Sequence, residues 1–192
     1  MSAIARQAFE AAGDALPRPH PNTYWLAVGH ILAGEHPAAG NPAQCEARIE
    51  ALVAAGVRRF FDLTEPVEPL VAYAPFVERI GAERGIALAH RRFAIPDFGV
   101  PTETGMRAIL AALDEPLASS GIAYLHCRGG IGRTGTVAGC LLVENGWTGN
   151  GALALVDRKW RVMAKASPSL RSPENDVQRE MIERWSGRAT PR

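Results

Sequence analysis

Residues 126–135 read His126-Cys127-Arg128-Gly129-Gly130-Ile131-Gly132-Arg133-Thr134-Gly135. An apolar run, 121–125, precedes this stretch, and a segment compatible with a helix, 134–145, follows it. The order predicts a buried strand, a glycine-rich turn and a helix that begins at the turn. The backbone N–H groups of such a turn converge on one point, and the helix dipole adds partial positive charge there. We therefore expect a site that binds an anion.

A thiol lies at the base of the predicted turn. The positive field that attracts an anion also favours thiolate over thiol, and the thiolate is the nucleophilic form of cysteine. Five residues separate Cys127 from Arg133, and Thr134 places a hydroxyl directly after the arginine. The planar guanidinium can hold two oxygens of a phosphate, a geometry that lysine does not reproduce. The stretch thus combines an anion site with a nucleophile.

Two simpler interpretations account for parts of this pattern. A single cysteine after a strand is often a small buried hydrophobic residue, and glycine-rich turns are common in α/β folds. Neither interpretation requires the arginine and the hydroxyl. The end of the stretch is also similar to the nucleotide-binding pattern G-x-x-x-x-G-K-[ST]. That pattern needs glycine where Cys127 stands and lysine where Arg133 stands. The sequence therefore departs from it at two essential positions.

The pattern His-Cys-x5-Arg-Thr-Gly resembles the active-site loop of the cysteine-dependent protein tyrosine phosphatase superfamily. The Gly-Gly pair and the Gly-Arg-Thr-Gly ending are most similar to its dual-specificity, kinase-associated and Cdc14-like branches. The resemblance implies that Cys127 takes the phosphoryl group as a cysteinyl-phosphate and that Arg133 holds the phosphate. It also implies that His126 tunes the thiolate and that Thr134 donates a hydrogen bond to the sulfur. The phosphate-binding loop then consists of Arg128, Gly129, Gly130, Ile131, Gly132 and Arg133.

A proton donor for the leaving oxygen is expected on a separate loop upstream. The candidate is Asp97, in the stretch 91–101, where a strand-like run ends in Ile-Pro. Prolines stiffen such a loop, and Phe98 beside the carboxylate can exclude water. In the family the equivalent residue is the aspartate of the mobile acid loop, which stands here thirty residues (127 minus 97) before the cysteine. The alternative is that Asp97 caps the next helix, for which Thr102 is better placed.

Composition is that of one soluble globular domain. The chain has 192 residues, a net charge of +1 and 47 % apolar residues, so nothing global indicates nucleic acid or an anionic membrane as a partner. The sequence contains no run of ~18 apolar residues that would predict a membrane span, and the N-terminus does not resemble a secretory signal. Three cysteines, Cys45, Cys127 and Cys140, are an odd and sparse set. This is typical of a reducing cytoplasm, where we expect the protein.

Strands alternate with helices along the chain. We predict helices at 2–13, 42–55, 74–84, 102–119, 132–145, 148–163 and 173–185, and strands at 22–28, 30–33, 57–63, 86–93 and 121–126. The alternation predicts a single compact α/β domain with a central, mostly parallel sheet flanked by helices, as in dual-specificity phosphatases. Residues 1–21 are expected to form an N-terminal helix and a proline-rich link, 22–186 the catalytic domain, and 187–192 a flexible tail.

Other polar residues carry weaker signals. Ser172 is the expected cap of the last helix, with Pro173 in its first turn. In the family a glutamine near this place helps to position the water that hydrolyses the phosphoenzyme, a role that Gln178 could take. A solvent-facing helical glutamine is the favoured interpretation. Asp62 and Glu65 could line the rim of the pocket, although turn chemistry explains them as well.

The remaining titratable residues suggest no metal or cofactor. Arg91 and Arg92 precede the acid loop, and we expect one of them to orient it or to meet a charge of the substrate. No spacing typical of a metal site occurs among His20, His30, His36 and His90. The rise of the helix keeps Cys140 more than ~10 Å from Cys127, which disfavours a disulfide. Cys45 is expected to be a buried structural thiol, and a redox role for it stays open.

The expected activity is hydrolysis of phosphate monoesters in two steps. Cys127 attacks phosphorus while Asp97 protonates the leaving oxygen, and water activated by Asp97 then releases phosphate. The rate should depend on pH in a bell shape, with the thiolate on the acidic limb and Asp97 on the basic one. The expected partners are phosphorylated proteins or peptides, and phosphate, sulfate or vanadate should occupy the loop.

The substrate is less constrained than the reaction. Phosphotyrosine is the leading candidate and phosphoserine or phosphothreonine the second. Phosphoinositides are less favoured because Arg128 is the only extra basic residue of the loop, although Arg91 and Arg92 leave room for them. A phosphate-dependent binding module without turnover usually lacks the cysteine, the arginine or the acid, and this chain keeps all three. A rhodanese-like sulfur transferase is disfavoured by the Arg-Thr ending and by the separate acid loop.

Overall fold

Within residues 4–39, 41–115 and 121–186, which the computed structural model describes, five strands pair into one sheet. They are β1 Thr23–Ala27, β2 Ile31–Gly34, β3 Val57–Asp62, β4 Ala89–Arg92 and β5 Ile122–His126. Their order across the sheet is β1-β2-β5-β3-β4. β1 and β2 form an antiparallel hairpin, and the other neighbouring pairs are parallel. The predicted α/β fold with a mostly parallel central sheet is confirmed.

Helices cover both faces of this sheet. They are α1 Arg6–Glu10, α2 Cys45–Ala54, α3 Ala74–Arg84, α4 Glu103–Asp114, α5 Gly132–Glu144, α6 Gly149–Trp160 and α7 Asp176–Arg184, and a 3-10 turn, Pro42–Gln44, precedes α2. α2 and α3 pack on one face around Phe60 and Tyr124, and the other helices pack on the opposite face around Phe61 and Leu125. The middle strand β5 is covered from both sides, which explains its continuous apolar sequence.

Several predicted elements are shorter in the structure. The helix predicted at 2–13 is reduced to α1, and the strand predicted at 86–93 is reduced to β4. Thr102 caps α4 as expected, since its side chain accepts a hydrogen bond from the Gly105 N–H at 3.0 Å. α4 ends at Asp114, and the rest of its predicted length, 116–119, lies outside the described residues, as does the predicted tail 187–192.

The predicted start of the last helix is wrong. α7 begins at Asp176, and its cap is Asn175, whose side chain accepts a hydrogen bond from the Gln178 N–H at 3.0 Å. Ser172 does not cap this helix because its hydroxyl donates to the Ile131 carbonyl at 2.8 Å. Pro173 therefore lies before the helix rather than in its first turn.

The topology brings three strand ends to one edge of the sheet. In the parallel register Asp62 of β3 pairs with His126 of β5 on one side and with Arg92 of β4 on the other. The segments that follow these strands therefore emerge together, and five residues separate the end of β5 from the start of α5. Among the described helices none is long and apolar enough to cross a membrane.

Candidate active site

The glycine-rich stretch forms a loop between β5 and α5 with the Cys127 thiol at its base. Cys127 is buried, and its Sγ accepts a hydrogen bond from the Gly130 N–H at 3.3 Å. Gly130 has a φ of +73°, and a Cβ there would lie 2.4 Å from the backbone carbonyl carbon of Gly34. Only glycine fits this position. The turn thus points a backbone N–H at the sulfur.

The first turn of α5 lies beside this loop. Its N-terminus brings the positive end of the helix dipole to the loop. Thr134 is fully buried, and within the described part of the chain its hydroxyl has no hydrogen-bond partner. That donor is free for the contact with sulfur that the family resemblance implies.

Arg133 is buried and held by several oxygens. Its Nη1 donates to the Ile95 carbonyl at 3.0 Å, and its two Nη atoms donate to the Glu68 carboxylate at 2.5 and 3.1 Å. Nη2 also lies 2.9 Å from Oδ1 of Asp97. Burial acts against the charge of Arg133, but the carboxylates and the sulfur of Cys127 outweigh it and raise the pKa. No described residue accepts a hydrogen bond from Nε, so that edge of the guanidinium can receive an anion.

Glu68 is a functional residue that the sequence reasoning missed. Its side chain is 8 % exposed, and although burial alone would raise its pKa, the hydrogen bonds from Arg133 lower it. Glu68 follows β3 at the same edge of the sheet as the loop. This position was the feature of the sequence from which its place in the site could have been predicted. The Glu68 carboxylate binds the Nη1 and Nη2 atoms of Arg133 and leaves the Nε edge to a ligand.

The acid loop reaches the site and is anchored on two sides. The Asp97 N–H donates to Oε2 of Glu65 at 3.3 Å, so Glu65 lies at the rim, one of the two roles open from the sequence. Asn175 donates from Nδ2 to the Phe98 carbonyl at 2.8 Å. Phe98 has a φ of +58°, a conformation that costs energy for a residue with a side chain. These contacts hold Asp97 against Arg133.

Gln178 faces the site, and the expectation of a solvent-facing residue is wrong. Its side chain is fully buried and donates from Nε2 to the Gly99 carbonyl of the acid loop at 3.2 Å. A Cβ at Gly132 would lie 2.8 Å from the amide of Gln178, so the amide is packed against the start of α5. The shift of the helix start to Asp176 turns Gln178 inward.

Glu174 is a second carboxyl group at the mouth that the sequence reasoning missed. Its Oε1 lies 2.0 Å from the point that a Cβ at Gly132 would occupy. Burial, followed by the negative charge of Asp97, raises the pKa of Glu174, while Arg133 acts in the opposite direction. The neutral form of this carboxyl is therefore favoured more than in an ordinary glutamate.

His126 lies beneath the loop in a defined tautomer. Burial lowers its pKa, so the ring is neutral. Nδ1 lies 3.1 Å from the Cys127 carbonyl, which can only accept, so Nδ1 carries the proton. Nε2 must then accept a hydrogen bond from the Tyr73 hydroxyl. Tyr73 thus orients the ring that supports the backbone of Cys127.

Two other basic residues near the loop have different surroundings. Arg92 donates to Oδ2 of the buried Asp62 at 2.9 Å, so Asp62 fixes the strand that leads to the acid loop instead of lining the rim. Arg91 pairs at the surface with Glu115 at 2.7 Å. The side chain of Arg128 is exposed.

The carbonyl of the loop residue Gly129 accepts a hydrogen bond from the Lys165 Nζ at 3.3 Å. Lys165 also pairs with Glu35, which follows β2. These contacts attach the loop to the hairpin from behind. Across the described ranges no group of three histidine, cysteine or acidic side chains is arranged to hold a metal ion.

A sequence model of one phosphatase family matches most of the chain. It is described as the DSP-PTPase phosphatase domain of Swiss Army Knife proteins, and it matches residues 20–178. The chain belongs to this family. A phosphatase domain of the DSP-PTPase type is consistent with the loop, the buried arginine and the aspartate described above.

Solved structures share this fold. Tk-PTP, in a mutant form, is 23 % identical, with a TM-score of 0.62 over 85 % of this chain and 93 % of that chain. PTPMT1 in complex with PI(5)P is 16 % identical, with a TM-score of 0.58 over 81 % of this chain and 89 % of that chain. TpbA of P. aeruginosa in complex with pTyr is 15 % identical, with a TM-score of 0.53 over 76 % of this chain and 77 % of that chain. At these identities the likeness concerns the fold.

Proposed function

We propose that this DSP-PTPase domain hydrolyses phosphate monoesters, above all phosphotyrosine in proteins and also phosphoserine or phosphothreonine, through a cysteinyl-phosphate. The observation that carries the proposal is the convergence of three groups. The Cys127 sulfur accepts a loop N–H, α5 begins beside it, and Arg133 lies 2.9 Å from the carboxylate of Asp97. These contacts support the roles of Cys127 as nucleophile, of the loop with Arg133 as anion site and of Asp97 as proton donor.

In the first step a phosphate dianion binds to the loop N–H groups and to the Nε edge of Arg133. The Cys127 thiolate attacks phosphorus in line, so the S–P bond forms as the bond to the leaving oxygen breaks. Asp97 gives its proton to that oxygen. In the second step a water molecule attacks phosphorus, Asp97 takes a proton from it, and the S–P bond breaks to release phosphate. Catalysis consists mainly of positioning and charge stabilisation.

The ion pair between Asp97 and Arg133 has a consequence for this cycle. While Asp97 contacts Arg133, its carboxyl group occupies part of the guanidinium that the substrate phosphate must bind. Binding of a phosphate dianion to Arg133 supplies a competing anion, and it frees the Asp97 carboxyl group to turn to the leaving oxygen. Gln178 lies between the acid loop and the start of α5, where its amide can orient the water of the second step.

The charges around the mouth support a phosphoprotein substrate. The carboxyl groups of Glu65, Asp97 and Glu174 lie near the mouth, the charge of Glu68 is balanced by Arg133, and Arg128 is the exposed basic residue of the loop. This field disfavours ligands with several phosphates, which would meet repulsion beyond the one phosphate that the cradle neutralises. Phe98, whose side chain is 64 % exposed beside Asp97, offers an apolar surface to an aromatic leaving group. PTPMT1 was crystallised with PI(5)P and TpbA with pTyr, and the acidic mouth favours the second type of ligand.

A panel of substrates tests the proposal. We expect turnover of para-nitrophenyl phosphate that vanadate inhibits, and a kcat/KM for a phosphotyrosine peptide at least ~10-fold above that for PI(5)P in mixed vesicles, since one unfavourable charge contact of modest strength has that effect. Peptides of identical sequence with phosphoserine or phosphothreonine define the second preference. Faster hydrolysis of PI(5)P would overturn the assignment of the substrate. Binding of the peptides without any turnover would overturn the enzymatic function.

Glu174 gives a prediction about pH. As pH rises through its raised pKa, Glu174 ionises and places a negative charge beside the phosphate dianion. The Glu174→Gln variant cannot ionise, so we expect the ratio of its kcat/KM for para-nitrophenyl phosphate to that of the wild type to increase with pH as Glu174 ionises, by about 2- to 5-fold in total. Steady-state rates between pH 5 and 8 measure this effect. A constant ratio across that range would count against a charge effect of Glu174.

A further inference from the structure

Two buried hydroxyl groups lie in the same core as the nucleophile and have no partner. They belong to Tyr24 of β1 and Thr134 of α5, and neither forms a hydrogen bond within the described residues. Both side chains are fully buried. A buried hydroxyl without a partner destabilises a fold, and phenylalanine at position 24 would fill the same space without that cost. The Tyr24 hydroxyl therefore calls for an explanation other than packing.

The register of the sheet directs Tyr24 toward the loop. Tyr24 pairs with Ala33 of β2, and Ala33 pairs with Leu125 of β5, so these three side chains lie on one face. Cys127 stands two residues beyond Leu125 and belongs to the same buried cluster as Tyr24. The side chain between Tyr24 and Leu125 on this face is the small alanine Ala33.

Charge coupling agrees with this placement. Burial, followed by the charge of the Cys127 thiolate, raises the pKa of Tyr24, so the phenol keeps its proton and remains a donor. The other groups coupled to the sulfur are Arg133 of α5 and Tyr124 of β5. The Tyr124 hydroxyl is already committed, since it donates to the Glu35 carbonyl. Tyr24 thus keeps an uncommitted hydroxyl in the same buried cluster as Cys127.

We propose that Tyr24 is a positioning residue that stabilises the Cys127 thiolate from the core side of the loop, through the dipole of its buried hydroxyl. The inference rests on the proposed function of Cys127 as the nucleophile. The loop N–H groups and Arg133 hold the sulfur from the side of the substrate, and Tyr24 supports it from the opposite side. Thr134, the other hydroxyl without a partner, lies on α5 and completes this buried polar environment.

The Tyr24→Phe variant, which removes one oxygen, tests the proposal. The measurement is the rate at which iodoacetamide alkylates Cys127 as a function of pH, which reports the thiolate independently of turnover. We expect the alkylation curve and the acidic limb of kcat/KM for para-nitrophenyl phosphate to move to higher pH together. At pH 6 kcat/KM should fall by about 3- to 10-fold, the effect of one hydrogen bond or dipole acting on a charged group.

Tyr124→Phe is the matched control, because it removes the same atom from a hydroxyl that donates to Glu35. We expect it to lower thermal stability and, because its hydroxyl is directed to the Glu35 carbonyl, to move the alkylation curve much less than Tyr24→Phe does. An unchanged curve in a folded, active Tyr24→Phe protein would overturn the role of Tyr24, and an unchanged or raised melting temperature would then identify the residue as core filling. A wild-type protein that is alkylated with an ordinary cysteine profile and hydrolyses nothing would instead count against the proposed function itself.

Discussion

The Cys127→Ser variant is expected to lose turnover of para-nitrophenyl phosphate by about 10⁴-fold or more, the loss typical when the nucleophile of a covalent mechanism is removed. A serine hydroxyl in this loop is not ionised near neutral pH, so no attack on phosphorus occurs. The anion site does not depend on the sulfur. The Gly130 N–H, the start of α5 and Arg133 with its Glu68 partner stay in place, and we therefore expect binding of a phosphotyrosine peptide to persist.

Calorimetry with the phosphotyrosine peptide and a single-turnover assay together measure this separation of binding from chemistry. Cys45→Ser is the matched control. Cys45 is the buried first residue of α2, serine differs from it by a single atom, and its helix packs on the face of the sheet away from α5. We expect wild-type rates from it. Full activity in Cys127→Ser, or an equal loss of activity in Cys127→Ser and Cys45→Ser, would contradict the assignment of Cys127 as the nucleophile.

The loop could be read from the sequence because its chemistry is local. An apolar strand that leads into ten residues with four glycines, a thiol and two arginines leaves few alternatives. The structure has the strand, turn and helix where that order predicts them. The alternation of elements likewise predicted the sheet. Thr102 was identified as a cap because the residue that caps a helix lies next to it in sequence.

Contacts between distant segments could not be read in this way. Serine is a common helix cap, but the Ser172 hydroxyl donates instead to the carbonyl of Ile131, forty-one residues away in sequence. The helix consequently begins later, and Gln178 turns from solvent into the site. Glu68 and Glu174 were missed for a related reason, since surface and buried glutamates have no distinguishing local pattern. Their roles depend on the approach of Arg133 and Gly132 through space.

The Asp97→Asn variant should lower kcat by about 10²- to 10³-fold for phenyl phosphate, within the range of general acid catalysis, and much less for para-nitrophenyl phosphate. The reason is that nitrophenolate leaves readily without a proton, whereas phenolate does not. The basic limb of the pH profile should disappear because that limb reflects loss of the proton from Asp97. KM should stay level or fall, since the variant also removes the carboxylate that competes with phosphate for Nη2 of Arg133.

Steady-state rates for a series of aryl phosphates whose leaving groups differ in acidity test this prediction. We expect kcat to depend more steeply on the leaving-group pKa in Asp97→Asn than in the wild type. Asp14→Asn, a change in an exposed aspartate of the N-terminal segment, serves as the control and should match the wild type. A basic limb that survives in Asp97→Asn, with kcat reduced less than about 2-fold for phenyl phosphate, would move the proton donor elsewhere. Glu174 is then the group to examine, because it is a carboxyl group at the mouth whose pKa is raised by burial.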